Sequence, residues 1–109
     1  LRPALYDSFH TILPFNREGK EMTYTIAGPI CESSDILVKN IKLPKQIVDN
    51  YLIICDVGAY GSVMASNYNS KCLPAEVLVS QNQYAIIRHQ ERIETAIKKD
   101  IIPEWLKIN

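Results

Sequence analysis

Along the chain, apolar residues fall in short runs separated by polar, turn-forming stretches, a spacing that predicts strands more than helices. Met22-Thr23-Tyr24-Thr25-Ile26-Ala27 is rich in β-branched and aromatic residues and predicts a strand. Before it, Asn16-Arg17-Glu18-Gly19 predicts a turn between two extended segments. Gly28-Pro29 then breaks the chain, and Ile36-Leu37-Val38 predicts a further short strand. Leu43-Pro44 opens a polar connection that leads to a turn at Asp49-Asn50. The uninterrupted apolar run Tyr51-Leu52-Ile53-Ile54-Cys55 predicts a buried central strand. Glu76-Val77-Leu78-Val79 and Tyr84-Ala85-Ile86-Ile87, joined by Ser80-Gln81-Asn82-Gln83, predict a hairpin.

Helical signals are few. Pro3 followed by Ala4-Leu5-Tyr6-Asp7 predicts one helical turn, with proline where its missing N–H costs little. Gly58-Ala59-Tyr60-Gly61 leads into a short helix or irregular turn through Ala65. Near the end the period changes: Ile93, Ala96 and Ile97 share one helical face, Glu94 and Lys98 form an i,i+4 pair, and Pro103 limits the segment. Six short strands with few helices predict a mainly β, antiparallel, barrel- or sandwich-like domain with a short helix near the C-terminus.

The chain has 109 residues, which suits one domain, and 47% of them are hydrophobic, enough for a core and marginal independent stability to be possible. Twelve basic residues balance twelve acidic ones, so charge gives no reason to expect nucleic acid or an anionic membrane as partner. Cys31, Cys55 and Cys72 are far apart, with no CxxC pair. That count and spacing argue against a disulfide scaffold and against a zinc site, and favour the reducing cytoplasm. No apolar run approaches the roughly 18 residues that span a bilayer. The chain opens at Leu1 without methionine, as expected of a portion of something longer.

Four segments carry a resemblance. Gly28-Pro29-Ile30-Cys31-Glu32-Ser33-Ser34-Asp35 is similar to the GPxCESxD signature of the diaminopimelate decarboxylases. Asp56-Val57-Gly58-Ala59-Tyr60-Gly61-Ser62-Val63-Met64-Ala65-Ser66-Asn67-Tyr68-Asn69 resembles their DxGAYGxxMxSxYN block, and Pro74-Ala75-Glu76-Val77-Leu78-Val79 their PAEVLV strand. The opening Arg2-Pro3-Ala4-Leu5-Tyr6, with His10 in register, resembles their RPxLYxxxH segment. The four follow the family's order and cover nearly the whole chain. Asp49-Asn50, where the family commonly has Gly-Asp, and Cys72, where an apolar or basic residue is usual, depart from the pattern without touching a proposed ligand.

The resemblance implies that residues 1–109 are the C-terminal β domain of a fold-type III decarboxylase dependent on pyridoxal phosphate. The lysine that holds the cofactor and the phosphate cradle belong to a TIM-like barrel that is absent from this sequence. On that reading the chain alone is inactive. Its sheet also lacks a strand that the family's domain borrows from the N-terminus of the full polypeptide, which leaves an open edge.

Each site residue has an ordinary reading beside the implied one. A lone cysteine near an apolar run is usually an inert buried thiol. Cys31 sits among Glu32 and two serines after Gly-Pro, where a thiol is exposed. The resemblance makes it the group that returns a proton to the carbon that has lost CO2, a task that suits a thiol still protonated at neutral pH. Glu32, alone a solvated carboxylate, would pair with the substrate's distal ammonium. Tyr60, alone a half-buried aromatic, would place its hydroxyl near the cofactor phosphate and the substrate, with Gly58 and Gly61 letting the backbone approach a ligand. Arg2 and Tyr6, one helical turn apart and so pointing the same way, would hold the distal carboxylate. His10 reads as structural and His89 as a surface residue, while Cys55 and Cys72 read as small packed hydrophobes with Cys72 the more exposed.

The implied reaction is decarboxylation of meso-2,6-diaminopimelate to L-lysine and CO2. It would run in a homodimer with shared active sites, Cys31 and Glu32 reaching the other subunit's barrel and Arg2 and Tyr6 serving their own. Two alternatives stay open: a related decarboxylase for another diamino acid, and a non-catalytic homologue that regulates a true decarboxylase.

Overall fold

The computed structural model describes residues 1–107, which fall into two compact units, Leu1–Val63 and a second beginning at Met64. In the first unit, α1 (Pro3–Tyr6) is a single turn with proline at its start. It stops at Asp7, which adopts the left-handed region at φ 49°. Aspartate reaches that region more readily than most residues because its short side chain hydrogen-bonds locally. β1 (Ile12–Pro14) pairs antiparallel with β4 (Leu52–Ile54), Ile12 opposite Ile54 and Pro14 opposite Leu52. Two flanking bonds extend the ladder: Phe15 N–H to the Tyr51 carbonyl at 2.9 Å, and Cys55 N–H to the Thr11 carbonyl at 2.8 Å.

β2 (Glu21–Ala27) and β3 (Ile36–Pro44) form the longest ladder, also antiparallel. β3 is much longer than Ile36-Leu37-Val38, and Leu43-Pro44 lies inside it rather than opening a loop. The cause is a pair of bulges. Tyr24 faces Ile41 while Ile26 faces Val38, and Ala27 then faces Ile36, so β3 carries one extra residue at each step. Asn40, at φ 58°, sits in the first bulge. Bulges of this kind interrupt the two-residue alternation that marks a strand.

α1 and β1 both lie against β3. The buried positions of this unit are Pro3, Ile12, Pro14 and Leu43, and Ile12 and Leu43, each 4% exposed, are the buried hydrophobic residues of the described chain. The core that composition allows is therefore confined to these few positions within the described residues. The run 51–55 is likewise not a buried central strand. β4 is three residues long, pairs only with β1 among the described residues, and leaves Ile53 46% exposed. Continuous apolarity says that a strand needs covering on both faces, not that this segment supplies the cover.

In the second unit, β5 (Glu76–Ser80) and β6 (Gln83–Arg88) make the expected hairpin, with Ser80 opposite Gln83. Gln81 has φ 52°, the positive value that primed two-residue turns require at their first central position. The short helix α2 (Tyr60–Val63) closes the first unit, and α3 (Ile93–Ile97) lies near the end of the second. Lys99, rather than Lys98, forms the ion pair here, at 3.0 Å from Glu91. The Glu91 carboxylate also accepts from the Asn67 amide and the Leu73 N–H, and the Glu91 N–H donates to the Leu73 carbonyl at 2.9 Å. The Lys99 hydrogen bond, followed by those from Asn67 and Leu73, holds the Glu91 carboxyl below its ordinary value of 4.5. None of the described residues of this unit is buried.

Among the described residues the strands make three two-stranded antiparallel sheets and no closed barrel. The mainly β, antiparallel character expected from the pattern is borne out, and no helix is long and apolar enough to cross a membrane among the described residues.

Candidate active site

The loop 28–35 is the connection of the β2–β3 hairpin, and its base is tightly tied. Gly28 N–H donates to the Asp35 carbonyl at 2.9 Å, just beyond the Ala27–Ile36 pair. Asp35 N–H donates to the Glu32 carbonyl at 3.0 Å, and Glu32 N–H to the Ile30 carbonyl at 2.8 Å. The Asp35 side chain turns back across the base, where Oδ2 accepts the Ile30 N–H at 2.8 Å. Its carboxylate fills the space where any larger residue at 28 would place a Cβ, 2.3 Å from Oδ2. Gly-Pro thus does more than break the chain: a larger residue at 28 would have to push the Asp35 carboxylate off its place against the loop.

This closure leaves the tip outside. Cys31 and Glu32 are both exposed. The Glu32 carboxylate accepts the Ser34 hydroxyl, which orients it from within the loop. The sulfur of residue 31 is therefore not walled into a sheet interior.

Arg2 and Tyr6 are exposed at the two ends of α1. The Tyr6 N–H donates to the Arg2 carbonyl at 3.2 Å, as one helical turn requires. Arg2 itself stands outside the helix at φ −137°, ψ 62°, so helical spacing alone does not align the two side chains. α1 does face the loop's far end. An open groove of about 390 Å³ is lined by Pro3 and Ala4 of α1, by His10, and by Ser33, Ile36 and Leu37. The groove is lined by neighbours in sequence of Arg2 and Glu32, Pro3 and Ser33, and not by Arg2, Tyr6, Cys31 or Glu32 themselves.

Tyr60 opens α2 and is 66% exposed. The connection from β4 is unusual in having two left-handed positions, Asp56 at φ 56° and Gly58 at φ 52°. Gly58 is thus favoured by backbone conformation rather than by crowding, since open space surrounds it. Gly61 has a different reason from ligand approach: a Cβ there would lie 2.9 Å from Val57 Cγ2. His10 ties this region to the groove, its Nδ1 lying 3.3 Å from the Cys55 carbonyl as a donor to it. That agrees with a structural role for His10. His89 is exposed, and Cys55 and Cys72 are both half-buried. Sequence reasoning assigned nothing to Ser34 or Asp35, although both stand in the GPxCESxD segment; a polar residue that folds back on its own loop leaves no periodic signal.

The described residues fit one share of a pyridoxal phosphate site. The Tyr60 phenol, exposed after a turn with two left-handed residues, is a hydrogen-bond donor, and the exposed Cys31 thiol carries a proton.

Comparison with known proteins accords with this geometry. Residues 1–58 match the family model described as pyridoxal-dependent decarboxylase, C-terminal sheet domain. The chain is 44% identical over 108 residues to the diaminopimelate decarboxylase of Archaeoglobus fulgidus, covering 97% of this chain and 26% of that protein. It superposes on the crystal structure of diaminopimelate decarboxylase from Methanocaldococcus jannaschii in co-complex with L-lysine with a TM-score of 0.89, at 40% identity, over 97% of this chain and 24% of that one. The Helicobacter pylori enzyme, also complexed with L-lysine, gives 0.81 at 35% identity, over 90% of this chain and 24% of that one. The chain spans about a quarter of the length of the curated relatives it matches. From its first residue through the turn before α2, it belongs to the pyridoxal-dependent decarboxylase family, as that family's C-terminal sheet domain.

Proposed function

We propose that this chain is the C-terminal part of a cytosolic diaminopimelate decarboxylase and contributes one proton donor and four binding groups to an active site completed by a barrel domain. The observation that carries this reading is the outward presentation of Cys31 and Glu32 on a loop whose base is closed by its own hydrogen bonds. The near absence of a core among the described residues supports the chain's working against further protein.

Pyridoxal phosphate, when bound, supplies the electron sink that lets CO2 leave. The chain's residues contribute proton transfer and substrate binding. The Cys31 thiol gives its proton to the carbon from which CO2 has departed, and the thiolate is reprotonated from solvent. The Glu32 carboxylate pairs with the ammonium at the far end of the substrate. The Arg2 guanidinium takes the far carboxylate, with two parallel N–H bonds as its planar fork allows, and the Tyr6 hydroxyl adds a third donor. Tyr60 donates to the cofactor phosphate. The product L-lysine keeps the far ammonium and carboxylate, so the same groups would hold it. Cys31 and Glu32 serve a site shared between the two subunits of a homodimer.

Cys31→Ala in the complete enzyme is the direct test. Loss of a positioned proton donor lowers turnover by about 10²–10⁴-fold, while the absorbance of bound cofactor stays at the parent level. A parallel loss of both would make the thiol structural and refute its role.

A further inference from the structure

We infer that Asp35 is a positioning residue for Cys31 and Glu32, setting the loop that carries them through its carboxylate rather than through its charge at a distance. This rests on the decarboxylase reading and extends it to a residue that touches neither substrate nor cofactor.

Three observations converge on Asp35. Its backbone closes the loop at both levels, the carbonyl accepting from Gly28 at 2.9 Å and the N–H donating to Glu32 at 3.0 Å. Its Oδ2 accepts the Ile30 N–H at 2.8 Å, one residue before the thiol. Its carboxylate occupies the Cβ position of Gly28, with Oδ2, Oδ1 and Cγ at 2.3, 2.4 and 2.6 Å from where that atom would stand. The side chain therefore packs on one end of the loop and hydrogen-bonds in the middle of it. With Pro29 contributing no N–H and a fixed φ, the path from 28 to 31 has few remaining degrees of freedom.

A hydrogen bond from a backbone N–H to a carboxylate is stronger than one between neutral groups. Removing it frees the segment 29–32, and a displacement of about 1 Å at a reacting group is enough to cost about 10²-fold in rate. Because donor and acid ride on the same loop, both should suffer together.

The test uses the complete, cofactor-loaded enzyme and four variants: Asp35→Ala, Asp35→Asn, Gly28→Ala, and Gly28→Ala with Asp35→Ala. Turnover is expressed per loaded site, so that unfolded protein does not count. Asp35→Ala should lower kcat by about 10²-fold and raise KM severalfold, and hydrogen exchange at the Ile30 amide should accelerate about tenfold or more. Asp35→Asn keeps an acceptor oxygen in the same place and should stay within about threefold of the parent in all three measures. Gly28→Ala leaves every titratable group intact but displaces the carboxylate, so it should reproduce Asp35→Ala. The double variant should be no worse than Asp35→Ala alone, since both changes break one interaction.

Parent-like kcat and KM in Asp35→Ala would overturn the inference, as would an Asp35→Asn enzyme as damaged as Asp35→Ala. Cys31→Ala, assayed alongside, separates the two levels. If it is crippled while Asp35→Ala is not, only the positioning role fails; if it turns over like the parent, the loop carries no chemistry and both readings fall.

Discussion

Gly61 offers a local test of what fixes the direction of α2, and with it Tyr60. A Cβ at this position would lie 2.9 Å from Val57 Cγ2 and 3.3 Å from Val57 Cβ. Val57 is β-branched, so its methyl groups cannot swing aside without leaving a favoured rotamer. Forcing a methyl into such a contact costs about 1–3 kcal/mol. Alanine in place of glycine within a helix returns about 1 kcal/mol through lower backbone entropy in the unfolded chain. Taking the middle of the first range, Gly61→Ala loosens α2 by about 1 kcal/mol net, roughly a fivefold increase in local opening. The Val63 amide reports that opening directly, because it donates to the Ala59 carbonyl at 3.0 Å across the turn. In a Val57→Ala background the obstruction is gone, and the same Gly61→Ala change should slow exchange about fivefold instead, a coupling of about 2 kcal/mol across the cycle. Equal effects of Gly61→Ala in both backgrounds, read by native-state hydrogen exchange, would refute the steric account.

Three further expectations concern other parts of the chain. Arg2→Lys in the complete enzyme should weaken meso-diaminopimelate and L-lysine alike, by about tenfold or more each, and leave 1,5-diaminopentane unaffected; a loss confined to diaminopimelate, by competition assay, would move Arg2 to the reacting end. Glu91 has a lowered pKa in the folded state, so its stabilising effect is fully present above 4.5 and is lost as pH falls through the folded-state value. Glu91→Gln should therefore lower the melting temperature at neutral pH and flatten its decline in acid, and an unchanged acid limb would show that the Lys99 and Asn67 bonds do not contribute. Asn40→Val, which places a β-branched residue at φ 58°, should destabilise by about 1–2 kcal/mol, whereas Asn40→Gly should be neutral or better, as judged from melting temperatures.

What the residues revealed in advance depended on whether their signal was periodic, a matched segment, or a side chain folding onto its own loop. The β-branched stretch at 22–27 and the hairpin around Ser80-Gln81-Asn82-Gln83 follow from local alternation and turn chemistry, and both are found where the pattern placed them. β3 was only partly legible, because Asn40 in the left-handed region inserts an extra residue and puts Lys39 and Asn40 where alternation demands otherwise. The burial of the 51–55 run was misjudged for a different reason: its apolar side chains declare a need for cover that the described residues do not meet. The exposed setting of Cys31 was legible from its polar neighbours. The cause of that exposure was not, since nothing in linear order shows that Asp35 lies on Gly28. Nor did spacing reveal that Glu91 gathers Asn67, Leu73 and Lys99, because contacts made by one carboxylate to three separate segments have no repeat.

The β5–β6 hairpin bears on how the chain behaves when handled by itself. Val77, Leu78 and Val79 are all exposed, on a two-stranded sheet whose outer edges are unpaired among the described residues. The charges at its ends, Glu76 and Arg88, neutralise each other at 3.1 Å, so the segment has no net repulsion to keep copies apart. Neutral, apolar, edge-exposed strands of this sort template growth into insoluble stacks. Yield in solution would then be limited by precipitation rather than by unfolding. A lone lysine at Val79, acting as a gatekeeper, would improve recovery more than any substitution that merely strengthens the fold.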